Sequence, residues 1–219
     1  MIAAAGFLAG IVVASVLGGI ALAVTHDRNG PALLVASFVG LWVPLVGAAL
    51  VTSTSFGTRS LRRDLGLAFE PMDLVRGSLV AVVGLLAAAG VQQLLSSFPD
   101  LVGTNTNFIE DQAKSLLGAV VVVGSTMVGA PFVEELFFRG LLQRSMVRLG
   151  VAAAFLQAVV FGLIHVTPAE GLGNVGIVLG VGVFGLVLGL AARHYGRLGP
   201  TMVAHSLFNA AAVLPVLLR

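Results

Sequence analysis

Seven apolar runs follow one another along the chain, at residues 3–24, 31–52, 77–97, 115–147, 151–166, 174–193 and 200–217. A helix needs about 20 predominantly apolar residues to cross the hydrocarbon of a bilayer. No water is available there, so backbone N–H and C=O groups must be satisfied within helices or a closed barrel. Strands of a transmembrane barrel are about half as long as these runs. The expectation is therefore an all-α polytopic transmembrane bundle of about seven spans, within a range of about six to eight.

Composition agrees. Charged residues make up 10% of the chain and hydrophobic ones 58%, whereas a soluble domain carries about 25% charged residues. The net charge is only +2, and the basic residues fall in short loops, so they report topology rather than nucleic-acid binding. Arg59, Arg62, Arg63 and Arg76 place loop 53–76 in the cytoplasm, as do Arg144 and Arg148, and then Arg193 and Arg197. The loop 98–114 carries Asp100, Glu110 and Asp111 against Lys114 and reads as external, with a short turn over Asn105–Glu110. The N-terminus is then inside and the C-terminus outside. Residues 1–24 lack a basic n-region and exceed a signal peptide's apolar core, so they read as a retained first span. There are no cysteines, which removes disulfides, thiol nucleophiles and thiolate metal sites.

The chain reads as a single membrane domain, 1–219. Residues 1–114 supply the N-terminal spans and the basic loop, and residues 115–217 supply a catalytic core of the last four spans. The sixth run has two glycine pairs at GxxxG spacing, Gly176/Gly180 and Gly185/Gly189. Small residues at that spacing let helix backbones approach closely in lipid. Gly6 and Gly10 in the first run read the same way. Glu70 and Asp73 read as an interfacial turn and a helix cap, and His26 and His194 as loop residues.

Polar residues inside the apolar runs carry the chemistry. Charged groups at membrane depth are costly and normally face a cavity or a partner. Two adjacent carboxylates, Glu134 and Glu135, precede Arg139 in the fourth run. Residues four apart share a helix face, so Glu135 pairs with Arg139, and Glu134 is left free on the face of Phe138. Phe161 and His165 share a face in the fifth run, and His205 and Asn209 share one in the last. Counted at 1.5 Å per residue from the turn near Gly150, Glu134 and His165 both lie about 22 Å deep, and His205 about 10 Å from its own turn.

No serine or cysteine nucleophile accompanies this set, and Ser206 points away from His205. The chemistry that fits is attack of water on a carbonyl. Glu134 is the candidate base, His165 its helper, and His205 and Asn209 the candidate oxyanion donors. A zinc variant would use Glu134, His165 and His205 as ligands plus one water, although the HExxH pattern is missing.

Glu134-Glu135-x-x-x-Arg139, Phe161-x-x-x-His165 and His205-x-x-x-Asn209, in that order, resemble the three motifs of the CPBP family. That family comprises type II CAAX prenyl proteases and related bacteriocin-processing and bacteriocin-immunity membrane proteins. Asp64-Leu65-Gly66-Leu67 resembles its bacterial members. The resemblance spans about residues 115–217. It implies an intramembrane endopeptidase acting on membrane-associated, in some members lipidated, substrates. Glu134 and His165 would activate water, and His205 and Asn209 would form the oxyanion hole. The bacterial cytoplasmic membrane is the implied location. The alternative is a non-catalytic immunity or scaffold protein of the same fold. A proton-coupled transporter would be built from inverted repeats, and the two halves of the chain contain none.

Overall fold

The computed structural model describes residues 1–28, 30–104, 106, 109, 110, 112 and 115–218. Asp111, Lys114 and, from the expected external turn, Asn105, Asn107 and Phe108 lie outside the described residues. Among the described residues, eight helices form the bundle: α1 (Ile2–Thr25), α2 (Pro31–Phe56), α3 (Leu61–Leu65), α4 (Asp73–Leu95), α5 (Leu116–Gln143), α6 (Val151–Leu163), α7 (Asn174–Tyr195) and α8 (Gly199–Leu217). Six of these, all but α3 and α6, are long and apolar enough to cross a membrane. The protein is a multi-pass helical membrane bundle.

The fifth expected span is shorter than the sequence suggests. Helix α6 has 13 residues, about 20 Å at 1.5 Å per residue, against a hydrocarbon core of about 30 Å. It ends at Leu163, and His165 lies in the turn beyond it. The apolar character of residues 164–166 extends the run on paper, but Thr167 and Pro168 are extended or turning backbone, and proline disfavours helix in the residue before it.

Helix α5 packs against α2, α6 and α8. Its Leu136, Phe137, Phe138 and Leu141 are buried with Phe161 of α6, Phe184 and Leu188 of α7, and Ala204 of α8. Lipid tails are as apolar as these side chains, so close packing and polar contacts hold the helices together. The α7 glycines serve that end. A Cβ at Gly185 would sit 2.8 Å from the Phe161 ring, and one at Gly176 would sit 2.5 Å from the Leu101 carbonyl. Gly6 likewise admits Ala48 of α2.

Two wide, π-type turns interrupt α5, at Gly124–Gly129 and Glu135–Gln143. Such insertions recur at functional sites. The first accommodates Pro131, which lacks the N–H that a regular helix requires.

The arginine-rich loops meet at one end of the bundle. Asp64 accepts hydrogen bonds from the Ser53 hydroxyl (2.6 Å), from the Thr58 N–H and hydroxyl, and from the Ser60 N–H. These donors, the Ser53 hydroxyl first, hold its carboxyl down at about 2. Gly66 then turns the chain with φ of 72° and faces the Arg144 guanidinium, so both its backbone and its space call for glycine. Leu198 and Gly199 donate their N–H groups to the Gly66 and Ala68 carbonyls. Arg197 grips Asp73 with Nε at 3.0 Å and a terminal nitrogen at 2.7 Å. Asp73 is thus more than the helix cap expected from sequence: it takes the Glu70 N–H at 2.8 Å and also anchors the start of α8.

Candidate active site

Helix α5 turns its two glutamates in different directions. Glu135 is fully buried, and its Oε1 accepts from an Arg139 terminal nitrogen at 2.8 Å, the pairing expected from four-residue spacing. Arg139 donates further to the Gly185 carbonyl at 3.1 Å and stacks over the Phe161 ring at 4.3 Å. Glu134 lines a cavity of about 180 Å³ together with His165, His205 and Asn209. Phe38, Phe161, Phe184 and Phe208 supply apolar walls. Glu134 Oε2 is buried with no hydrogen-bond partner among the described residues. Glu135 and Arg139 lie outside this lining.

His205 stands between the two carboxylates and bonds one of them. Its Nδ1 is 2.9 Å from Glu135 Oε1, and its Nε2 is 3.9 Å from Glu134 Oε2. An ionised carboxylate has no proton to offer, so Nδ1 carries the N–H and Nε2 faces Glu134. His205 therefore lies at the depth of Glu134, not shallower. The turn-based count misplaced Glu134, because α5 ends at Gln143, nine residues on. That is about 14 Å at 1.5 Å per residue, which narrows the gap to the roughly 9 Å of His205 from Gly199 and leaves a remainder of about 5 Å that the two side chains span.

His165 is held from behind. Its Nδ1 is 2.7 Å from the Phe161 carbonyl, which can only accept. Nε2 is then the free position of the neutral ring. Irregular backbone at membrane depth is tolerated where it borders a cavity, and the turn carrying His165 does so.

Asn209 has a partner that sequence reasoning missed. Its Nδ2 donates to the Thr126 carbonyl at 2.7 Å. In the first wide turn the Ala130 N–H bonds the Ser125 carbonyl. The next bond in that pattern would run from residue 131 to Thr126, and Pro131 has no N–H. Asn209 supplies the donor instead. Replacing it with alanine is expected to cost about 1–3 kcal/mol, the penalty for a buried unpaired carbonyl. Pro131→Ala in the same background should restore much of that loss by supplying the missing N–H. Thermal unfolding of the single and double variants measures both effects. The second amide N–H of Asn209 is left over for another acceptor.

Two buried glutamines also escaped the sequence reading. Gln143 donates to the Gly189 carbonyl at 2.8 Å and Gln157 to the Gly185 carbonyl at 2.9 Å. Glutamine in an apolar run was the available signal.

The same residues bear on metal binding. Both imidazoles have Nδ1 engaged and Nε2 free, which is the arrangement metal-ligating histidines adopt. Among the described residues, however, no three His, Asp or Glu side chains converge as a metal-binding group. No step is routed through a metal.

Residues 116–211 match the family model described as type II CAAX prenyl endopeptidase Rce1-like. That segment, less than half of the chain, is similar to the family. No curated protein and no solved structure gives a match to the chain. The Rce1-like segment opens at the start of α5 and reaches into α8, so it contains Glu134, Glu135, Arg139, His165, His205 and Asn209. Similarity to the Rce1-like family supports an intramembrane protease of the CAAX type, in a lipid bilayer and acting on peptides.

Proposed function

We propose that the chain hydrolyses peptide bonds of membrane-associated substrates, with Glu134 as general base. The observation that carries this reading is the buried, unpartnered Oε2 of Glu134 in a cavity shared with His165, His205 and Asn209. A water held by His165 Nε2 gives a proton to Glu134, and its oxygen bonds to the scissile carbonyl carbon. The carbonyl electron pair moves onto oxygen. The spare Asn209 N–H, and His205 whenever Nε2 carries a proton, donate to that oxyanion. Glu134 then passes its proton to the amide nitrogen as the C–N bond breaks. Glu135 and Arg139 hold His205 in place without touching substrate. A cytoplasmic-membrane location in a bacterium fits the short, basic loops.

Comparative proteomics of membranes carrying wild-type or Glu134→Ala protein tests the activity. Intact substrates should accumulate only with the variant. The same purified protein should cleave a membrane-anchored peptide equally well after exhaustive chelation. Activity lost to chelation and restored by zinc would overturn the metal-free route. Identical peptide profiles in both membranes would favour a non-catalytic immunity or scaffold role.

A further inference from the structure

A second cavity of about 340 Å³ opens at the arginine-rich end, behind the catalytic pocket. Arg139, Gln143 and Arg144 border it from the end of α5, Gly150 from the following turn, and Ala192 and Arg193 from the end of α7. Among the described residues, no acidic side chain lines it. Arg139 already has Glu135 as its counter-charge, so Arg144 and Arg193 are the guanidinium groups at this space whose mutual repulsion an anion would relieve. Burial pushes Arg144 below its ordinary range, which an adjacent negative charge would relieve.

The interior of this cavity is incompletely satisfied. Arg139 is 1% exposed and Gln143 is 8% exposed. Arg139 Nε and Gln143 Oε1 are buried with no hydrogen-bond partner among the described residues, although unpaired buried polar atoms are costly. One needs an acceptor and the other a donor. Arg144 uses a terminal nitrogen on the Gly196 carbonyl at 2.7 Å. Arg193 stands exposed at the rim.

We infer that this cavity binds the phosphate of an anionic phospholipid whose headgroup carries a hydroxyl. The phosphate oxygens accept from the arginines and the headgroup hydroxyl donates to Gln143. The site lies at helix ends, where headgroups are found, and on the end that the positive-inside rule assigns to the cytoplasm. Basic pockets between transmembrane helices on that side suit such lipids. Arg139 also buttresses Glu135, so an occupant would brace the back of the catalytic helix.

The test is native mass spectrometry of the purified full chain titrated with phosphatidylglycerol or phosphatidylcholine. Phosphatidylglycerol should be retained at lower concentration. Arg193→Gln should weaken it about fivefold, and Arg144→Gln/Arg193→Gln about thirtyfold, at about one kcal/mol for each charge. Arg148→Gln, an exposed arginine outside the lining, should leave retention unchanged. Because Arg193 is exposed, its variant folds even if the Arg144 variant does not. Equal retention of the two lipids, or an equal loss in Arg148→Gln, would overturn the site. Displacement of the lipid by equimolar inorganic phosphate would overturn the assignment to a lipid headgroup.

Discussion

Glu134→Gln is expected to slow cleavage of a membrane-anchored reporter peptide by about 10²–10⁴-fold, the usual worth of a positioned general base. Glutamine matches glutamate in shape and still forms hydrogen bonds, but it cannot take a proton from water. Stability should barely change. Glu134 Oε2 has no hydrogen-bond partner to lose among the described residues, and its nearest cationic candidate, His205 Nε2, stands 3.9 Å away. The variant should therefore unfold at the wild-type temperature and insert normally. Wild-type cleavage by a folded, inserted Glu134→Gln protein would remove Glu134 from the reaction.

Glu135 and Arg139 should fail in the opposite way. Arg139→Met leaves the Glu135 carboxylate at 0% exposure without its main counter-charge. Breaking one side of a buried pair costs about 3–5 kcal/mol, while replacing both partners is often close to neutral. The single variant should lose most of its folded yield in detergent. Glu135→Gln/Arg139→Met should recover that yield, because the introduced amide oxygen can still accept from His205 Nδ1. Its activity should stay low, since the neutral amide removes the negative charge that stands 2.9 Å from His205 Nδ1. Folded yield and cleavage rate, measured on both proteins, separate the two effects. If the double variant cleaved at the wild-type rate, the pair would be a packing device alone.

The contrast between these variants rests on one local relation that was legible from sequence. Glu135 and Arg139 are four residues apart on one helix, and helix geometry alone brings them together. The α7 glycines were legible for a similar reason, since their spacing marks a face. The six long helices follow from the apolar runs and from the need to satisfy the backbone without water. The fifth run misled, because hydropathy does not register that the backbone leaves the helix at Leu163.

Contacts between helices were not legible. His205 meets Glu135 across 70 residues of chain, Asn209 meets Thr126 across 83, and Arg197 meets Asp73 across 124. Each depends on how far a helix is rotated and slid against its neighbour, and glycine-mediated packing and two wide turns in α5 set those quantities. The sequence by itself determined a helical membrane protein, the Glu135–Arg139 pair and the residue types available for hydrolysis. Only the tertiary structure decided that His205 stands between the two glutamates, that Asn209 serves the carbonyl left open by Pro131, and that Glu134 faces the cavity. The physical reason is that pairing along one helix is fixed by its pitch, whereas pairing between helices is fixed by side-chain packing across the whole bundle.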